Sequence, residues 1–468
     1  MKRFLMVISD DYVNYYMKEF FVLFTFFIKY KVYPLFFILF FILKGSAFEG
    51  LTLITTTNKN GGLGNVDYTH LIDNEGNIVN EWLHDTNPAS IAYLSRDSIL
   101  FVPCAIELEN RAPSGGRFKK MNWDGDIIWD YNLPDSICIP HHDIEVMPNG
   151  NILAICSEQK SNEEVVSKGR ANTSNDELGM VFDMIVEIHP EENNQATILW
   201  EWRFWDRLIQ DVDSSLDNYM SIEDNIQKLN INCELPGPLG VQLSDWNHCN
   251  AISYNSDLDQ IAISSRRFSE IYIIDHSTNT LEAKSDVGGR YNKGGNFLYR
   301  WGNPQNHNSN LERKLFSPHS VNWVPKGYPG SGNILIFNNN YEDFNSAVIE
   351  VTPPIDIEGN YLIDDNIGSY GPDEFYWIYQ NNFYSDIQSG VLRLANGNTL
   401  ISVTSTPSLV FEIDSLGQKQ WEYEGELVYI PRALKYLNNL TNYEKGDINQ
   451  DNTINVQDVV LAINFVLN

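Results

Sequence analysis

Three histidines and one arginine of this chain have the types and settings from which a reactive site could be built. His248 sits in "WNHCNAIS", His142 in "PHHDIEVM" and His319 in "SPHSVNWV". Each stands at the start of an apolar, alternating run that reads as a β-strand. Asn250 lies two residues beyond His248, so along a strand both side chains share a face. In "HCNAISYNSDLDQIAISSRRF" the turn centres near Asp257, and antiparallel pairing sets Arg266 opposite His248. Three histidines suit an open zinc site, but such sites usually draw two ligands from one element, and an adjacent arginine repels a cation. The set fits an oxyanion better: a guanidinium and a protonated imidazole clamp sulfate or phosphate oxygens while a neutral imidazole attacks. No phosphate-cradling Gly-rich loop accompanies it, which argues against a nucleotide substrate. His141 neighbours His142 and by alternation should face the other side. His70, His84, His189, His276 and His307 fall in turns or outer strands and read as structural.

A repeat must position these groups. A strand ending near Asp, a Gly or Asn turn and a strand closing on Trp recur as "THLIDNEGNIVNEWL" and "RFKKMNWDGDIIWDY". The phrase returns in "MIVEIHPEENNQATILWEW", "IYIIDHSTNTLEAKS", "AVIEVTPPIDIEGNYL" and "LVFEIDSLGQKQWEYEG". The fourth and fifth copies have their Trp displaced to "YRWG" and "FYWIY". Between copies stands a second hairpin such as "VMPNGNILAI" or "RLANGNTLISV", in which Asn-Gly is the strongest short-range hairpin signal. Two hairpins make a four-stranded sheet, and six copies predict an all-β, six-bladed β-propeller. Aligning the inner hairpins on their turns makes Ala89, His142, His248, His319 and Ser389 equivalent. Each histidine then opens the innermost strand of a different blade, at one mouth of the central channel. The one stretch of helical periodicity, 208–229, reads with 157–180 as an insertion at one end of the third unit.

At this point "PHHDIEVMPNGNILAI", "WNHCNAISYNSDLDQIAISSRRFSEIYIIDHST" and "SPHSVNWV" resemble the bacterial aryl-sulfate sulfotransferase family, with similarity over most of residues 50–435. The resemblance implies an exported six-bladed propeller with no organic cofactor. It implies transfer of a sulfuryl group from a phenolic sulfate ester to a phenol acceptor, ping-pong, without a nucleotide sulfate donor, through a sulfohistidine. It makes His319 the nucleophile, His142 and His248 the flanking imidazoles, and Asn250 and Arg266 the holders of the sulfate oxygens. His141 competes with His142 for the first role. Other classes remain open: a non-catalytic propeller binding glycan or protein, a sulfate-ester hydrolase, or a propeller dehydrogenase or lyase.

Composition bounds the partners. The chain has 468 residues, 43% hydrophobic and 13% aromatic, enough for a large β-rich core. A formal charge of -30 argues against nucleic acid or an anionic membrane as partner. Residues 1–47 read as a signal peptide or membrane anchor, with Lys29 and Lys31 before an apolar run and "KGSAFEG" after it. The product is then periplasmic, cell-surface or secreted. Cys104, Cys138, Cys156, Cys233 and Cys249 show neither CxxC nor zinc spacing and read mostly as core. The propeller is expected over 48–440. Residues 444–468 differ in kind: Asp447, Asn449, Asp451, Thr453 and Asp458 stand at positions 1, 3, 5, 7 and 12 of an EF-hand-like Ca²⁺ loop. This tail resembles one type I dockerin repeat, which implies a cohesin-like or cell-surface partner.

Overall fold

The computed structural model describes residues 45–56, 67–106, 114–171, 179–233, 245–342, 344–364, 368–405, 407–425 and 429–437. The N-terminal segment as far as residue 44 and the whole calcium loop, Asp447 to Asp458, lie outside the described residues. Within them, six four-stranded antiparallel sheets form six blades. Blade 2 runs Tyr93–Leu94, Leu100–Ile106, Ser114–Met121 and Ile127–Asn132, and blade 3 runs Ile139–Val146, Ile152–Lys160, Met180–Glu191 and Gln195–Arg203. Blade 4 comprises Cys249–Asn255, Gln260–Ser265, Glu270–Asp275 and Tyr299–Trp301; blade 5 comprises His319–Trp323, Ile334–Glu342, Asn345–Val351 and Trp377–Tyr379. Blade 6 is Gly390–Arg393, Thr399–Val403, Ser408–Ile413 and Lys419–Gly425. Blade 1 combines Gly50–Thr55, Tyr68–Ile72 and Ile78–Leu83 with Ala433–Leu437, so the last strand closes the ring against the first. The six-bladed all-β reading therefore holds.

The repeated tryptophan has a physical purpose. An indole is apolar apart from one N–H, and that donor needs a partner when the ring is buried. Here it reaches the following blade: Trp82 donates to Asn122 O (2.8 Å), Trp129 to Gln195 O (3.0 Å) and Trp202 to Gly295 O (2.7 Å). Trp301 donates to Pro372 O (2.9 Å) and Trp421 to Asn74 O (2.7 Å), the latter across the closure. A second device uses the turn Asn of the inner hairpin, where Gly150 and Gly397 take φ of 83° and 89°. Asn151, Asn333 and Asn398 each donate to the repeat glutamate of their own blade, Glu187, Glu350 and Glu412. Those carboxylates then grip the next blade through His276, Arg393 and Lys435. Apolar clusters fill every gap between neighbouring blades, so strands such as Gln260–Ser265 and Glu270–Asp275 are buried on both faces.

His276 makes the blade 3 to blade 4 grip sensitive to pH. Burial works to lower its basicity, but bonds to Asp259 (2.7 Å) and Glu187 (3.1 Å) override it and raise the imidazole to about 9. The folded value exceeds the ordinary 6.5, so the stabilisation is fully present below pH 6.5 and is lost as pH rises through 9. We expect the melting temperature to fall over that window, with up to about 3 kcal/mol at stake. His276→Gln should flatten the profile, and an equally steep loss in the variant would place the transition elsewhere.

Three expectations need adjustment. Residues 208–229 form no long helix: Leu208–Ile209 pairs in parallel with Leu229–Asn230, and only Glu223–Asn225 is a 3₁₀ turn. Asp and Ser in "DVDSS" bond locally instead, Asp213 Oδ1 accepting from Ser215 N and Oγ, which competes with helix. Within 157–180, the described residues up to Lys160 and from Met180 prolong a hairpin of blade 3, and Asn162–Ser167 is a short helix. Only His319 opens its innermost strand; His248 immediately precedes its own, and His142 is interior to Ile139–Val146. The five cysteines are buried and none is joined in a disulfide, as core residues.

Candidate functional site

The leading edges of the blades converge on one small cavity. Ser90, His142, Asn250, His319, Ser320, Ser389 and Arg432 are among its lining residues, drawn from every blade. Its volume is about 20 Å³, enough for one or two water-sized groups and too little for an aromatic ring. The innermost strands are bulged at the histidines: register shifts between Pro140 and Ile144, between Cys249 and Ala251, and between His319 and Asn322. A bulge re-aims a side chain. His142 and His248 take φ of 58° and 50°, a region a non-glycine residue occupies only when its surroundings impose it.

His319 is buried, and its Nδ1 lies 2.8 Å from Asn339 Oδ1. The amide is oriented by its other end, since Asn339 Nδ2 donates to Ser385 O (3.0 Å) and Gln388 O (3.1 Å). Oδ1 therefore faces the ring, Nδ1 must carry the hydrogen, and the lone pair is left on Nε2. Burial pulls the imidazole down to about 3, with Asn339 opposing and Arg266 and His248 reinforcing the shift. The ring is neutral at pH 7 and holds one free nitrogen lone pair.

The other imidazoles crowd around it. His142 and His248 meet edge to face with ring centroids 4.7 Å apart. Burial, then the neighbouring His248, His141, His319 and Arg266, push His142 well below an ordinary histidine. His248 Nδ1 is 2.5 Å from Asp245 Oδ2, and Arg267 approaches the same oxygen at 3.6 Å. Burial acts to raise Asp245, but the His248 bond wins and holds the carboxyl at about 2. His141 does not face away. The bulge brings its Nδ1 within 2.7 Å of His142 Nδ1, while its Nε2 is 3.0 Å from Asp183 Oδ1.

The register expected for Arg266 holds, since its N–H donates to His248 O at 3.1 Å. Ser265 Oγ donates to Asn247 O and Ser264 Oγ to Asn250 Oδ1, both at 2.6 Å, so the two ends of this hairpin interlock. Among the described residues, Arg266 NH2 reaches only Asp386 O at 3.3 Å, and its buried Nε has no hydrogen-bond partner. Burial first, then Arg267, lower its basicity. An unpaired buried donor on a cation is costly unless an anion completes it. Asn250 commits one amide hydrogen to Pro318 O (2.8 Å) and so fixes the residue before His319, and it lines the cavity.

The sequence thus brings His142, His248, His319, Asn250 and Arg266 to one place, and it missed several partners. Asp245 had a local signal, three residues before His248. Asn339 and Asp183 had none, because only the folded hairpins carry them to the histidines. Arg432 was missed too. It lies across Gly390, where a Cβ would fall 2.4 Å from its Cγ and Cδ, and it pairs with Asp143 at 2.7 Å.

A comparison of sequences with family profiles matches residues 48–429 to the profile described as Arylsulfotransferase (ASST). A comparison with curated proteins finds no match. Among solved structures, a Bacteroides caccae protein of unknown function is similar at 12% identity and TM-score 0.43, over 83% of this chain and 99% of that one. The periplasmic gluconolactonase of Pseudomonas aeruginosa is similar at 11% identity and TM-score 0.41, over 82% and 98%. The fold is read from strand pairing and does not rest on these likenesses.

Proposed function

The chain belongs to the arylsulfotransferase family, and we propose that it moves a sulfuryl group from a phenolic sulfate ester to a phenol through a sulfohistidine at His319. The observation that carries this reading is the fixed tautomer of His319, with Nδ1 bound to Asn339 and Nε2 free. In the first half-reaction Nε2 attacks sulfur, the S–O bond to the aryl group breaks, and its electron pair leaves on the phenolic oxygen. The barrier is dominated by charge on the sulfuryl oxygens and on that leaving oxygen. Arg266 and Asn250 meet the first, and a flanking imidazole protonates the second. In the return step the acceptor oxygen attacks, the S–N bond breaks, and the acceptor's proton goes to the same imidazole. The cavity is too small for an aryl ring, so the ring of the donor stays outside it.

The test is turnover of 4-nitrophenyl sulfate with and without added phenol. Release of nitrophenolate that accelerates with phenol, with phenyl sulfate as product, is the expected result. Release independent of phenol would make the protein a hydrolase, and no release with any aryl sulfate would leave a binding propeller.

A further inference from the structure

We propose that His141, which touches no substrate, is a positioning residue that sets the proton on His142, so that the pair gives a proton to the departing phenolate in one half-reaction and takes one from the acceptor in the other. The inference rests on the transfer reading and assigns its acid and base.

The geometry allows two states. Asp183 is held as an acceptor, with Oδ2 bound by Cys249 N at 2.6 Å and Oδ1 by His141 Nε2 at 3.0 Å. His141 Nε2 therefore carries a hydrogen in both states. The 2.7 Å contact between His141 Nδ1 and His142 Nδ1 holds a single hydrogen, which belongs to one ring or the other. When His141 is an imidazolium, it donates to His142 Nδ1, and His142 must carry its own hydrogen on Nε2. When His141 is neutral, its Nδ1 is a lone pair, and His142 must place its hydrogen on Nδ1 and leave Nε2 bare. His142 lines the cavity, so the first state offers the site an acid and the second a base.

The step balances. As the S–O bond breaks, the phenolate takes the Nε2 hydrogen of His142, and His142 Nδ1 takes the hydrogen of His141 Nδ1. On return the acceptor phenol delivers its proton to His142 Nε2, and the Nδ1 hydrogen passes back to His141. His142 itself never becomes a cation. That matters because His248, His319 and Arg266 all face it, and each disfavours a charge there. The charge resides on His141 instead, where burial opposes it but Asp183 and then Asp245 outweigh burial and raise its affinity for the proton. Moving the charge one ring away from the sulfuryl site gives acid chemistry without another cation beside Arg266. The strained φ at His142 and the bulge that turns both rings to the same side acquire a reason.

The experiment compares wild type with His141→Gln on two donors. Phenyl sulfate releases a phenol of pKa about 10 and needs an acid, whereas 4-nitrophenyl sulfate releases a much weaker base and does not. We expect kcat/KM for phenyl sulfate to fall by roughly 10²-fold or more, and that for 4-nitrophenyl sulfate to change by less than about threefold. Equal losses on both donors, or no loss on either, would overturn the relay. A variant that fails to fold leaves a second readout on the wild type. ¹⁵N-histidine NMR should show His142 protonated on Nε2 while His141 is an imidazolium, switching to Nδ1 in step with the deprotonation of His141. A His142 ring that becomes cationic, or that keeps one tautomer throughout, is the contrary outcome. This titration needs no turnover, so it judges the relay even if the protein transfers no sulfuryl group at all.

Discussion

His319→Ala abolishes both half-reactions: no phenol is released from any aryl sulfate, and no sulfuryl group reaches an acceptor. The expectation follows from the tautomer. Asn339 is pinned by two backbone carbonyls and holds the Nδ1 hydrogen, so the Nε2 lone pair is available without any prior proton transfer. Burial pulls the ring to about 3, which keeps it neutral through the physiological range, and no acid limb from this residue should appear above pH 4 or so. Once sulfated, the ring gains cationic character and its Nδ1–H bond to Asn339 strengthens. A neutral amide serves here better than a carboxylate, which would draw the proton off and stabilise the intermediate too far. The measurement is mass spectrometry after incubation with donor alone, with the added sulfuryl expected on the peptide containing His319 in wild type and on no peptide in the variant. The substitution strands Asn339 Oδ1, at a cost of roughly 1–3 kcal/mol, so the melting temperature must be recorded alongside. Sulfation of another residue, or wild-type turnover in a folded His319→Ala protein, removes the mechanism.

How much of this was legible before the fold is instructive. The Trp at the end of each repeat and the Asn-Gly turns are local signals, and local signals that recur suffice to count blades. The displaced copies read correctly because Trp301 and Trp377 still close blades 4 and 5 after their insertions. The opposition of Arg266 and His248 was also legible, although the fold reaches it through a one-residue bulge at Asn250: Ala251 pairs with Ser264, and beyond the bulge Cys249 pairs with Ser265. Side-chain direction was not. Strict alternation places His141 and His142 on opposite faces, and a bulge that sets residues 141–143 against Ile155 alone, with a left-handed φ at His142, undoes that rule. Nothing in "PHHD" announces the bulge. Asn339 and Asp183 were hidden for a different reason: each acts through a contact between chain segments whose separation no spacing rule encodes. The strand starts, too, were off by a few residues, because the ladder pairing that defines them is interrupted where the site is built.

Arg266→Ala should lower kcat/KM for aryl sulfates by roughly 10²-fold or more, the scale for losing one donor to a developing oxyanion. The argument is that Arg266 is poorly satisfied without a ligand. Its Nε is buried without a hydrogen-bond partner among the described residues, its NH2 has a 3.3 Å contact with Asp386 O, and both burial and Arg267 disfavour its charge. A residue held in that state costs stability in the free protein and recovers it only when an anion arrives. Two results should therefore appear together. Turnover falls, and the ligand-free variant melts no lower than wild type, the reverse of what a structural arginine would give. Inorganic sulfate should raise the melting temperature of wild type and leave that of Arg266→Ala nearly unchanged, because binding to the folded state alone stabilises it. Arg266→Lys restores charge but not the planar fork, so it should recover only part of the rate. Full activity in the lysine variant would reduce Arg266 to a point charge. Undiminished sulfate stabilisation in Arg266→Ala would move the anion site to other groups of the channel, with Arg432 the first to examine.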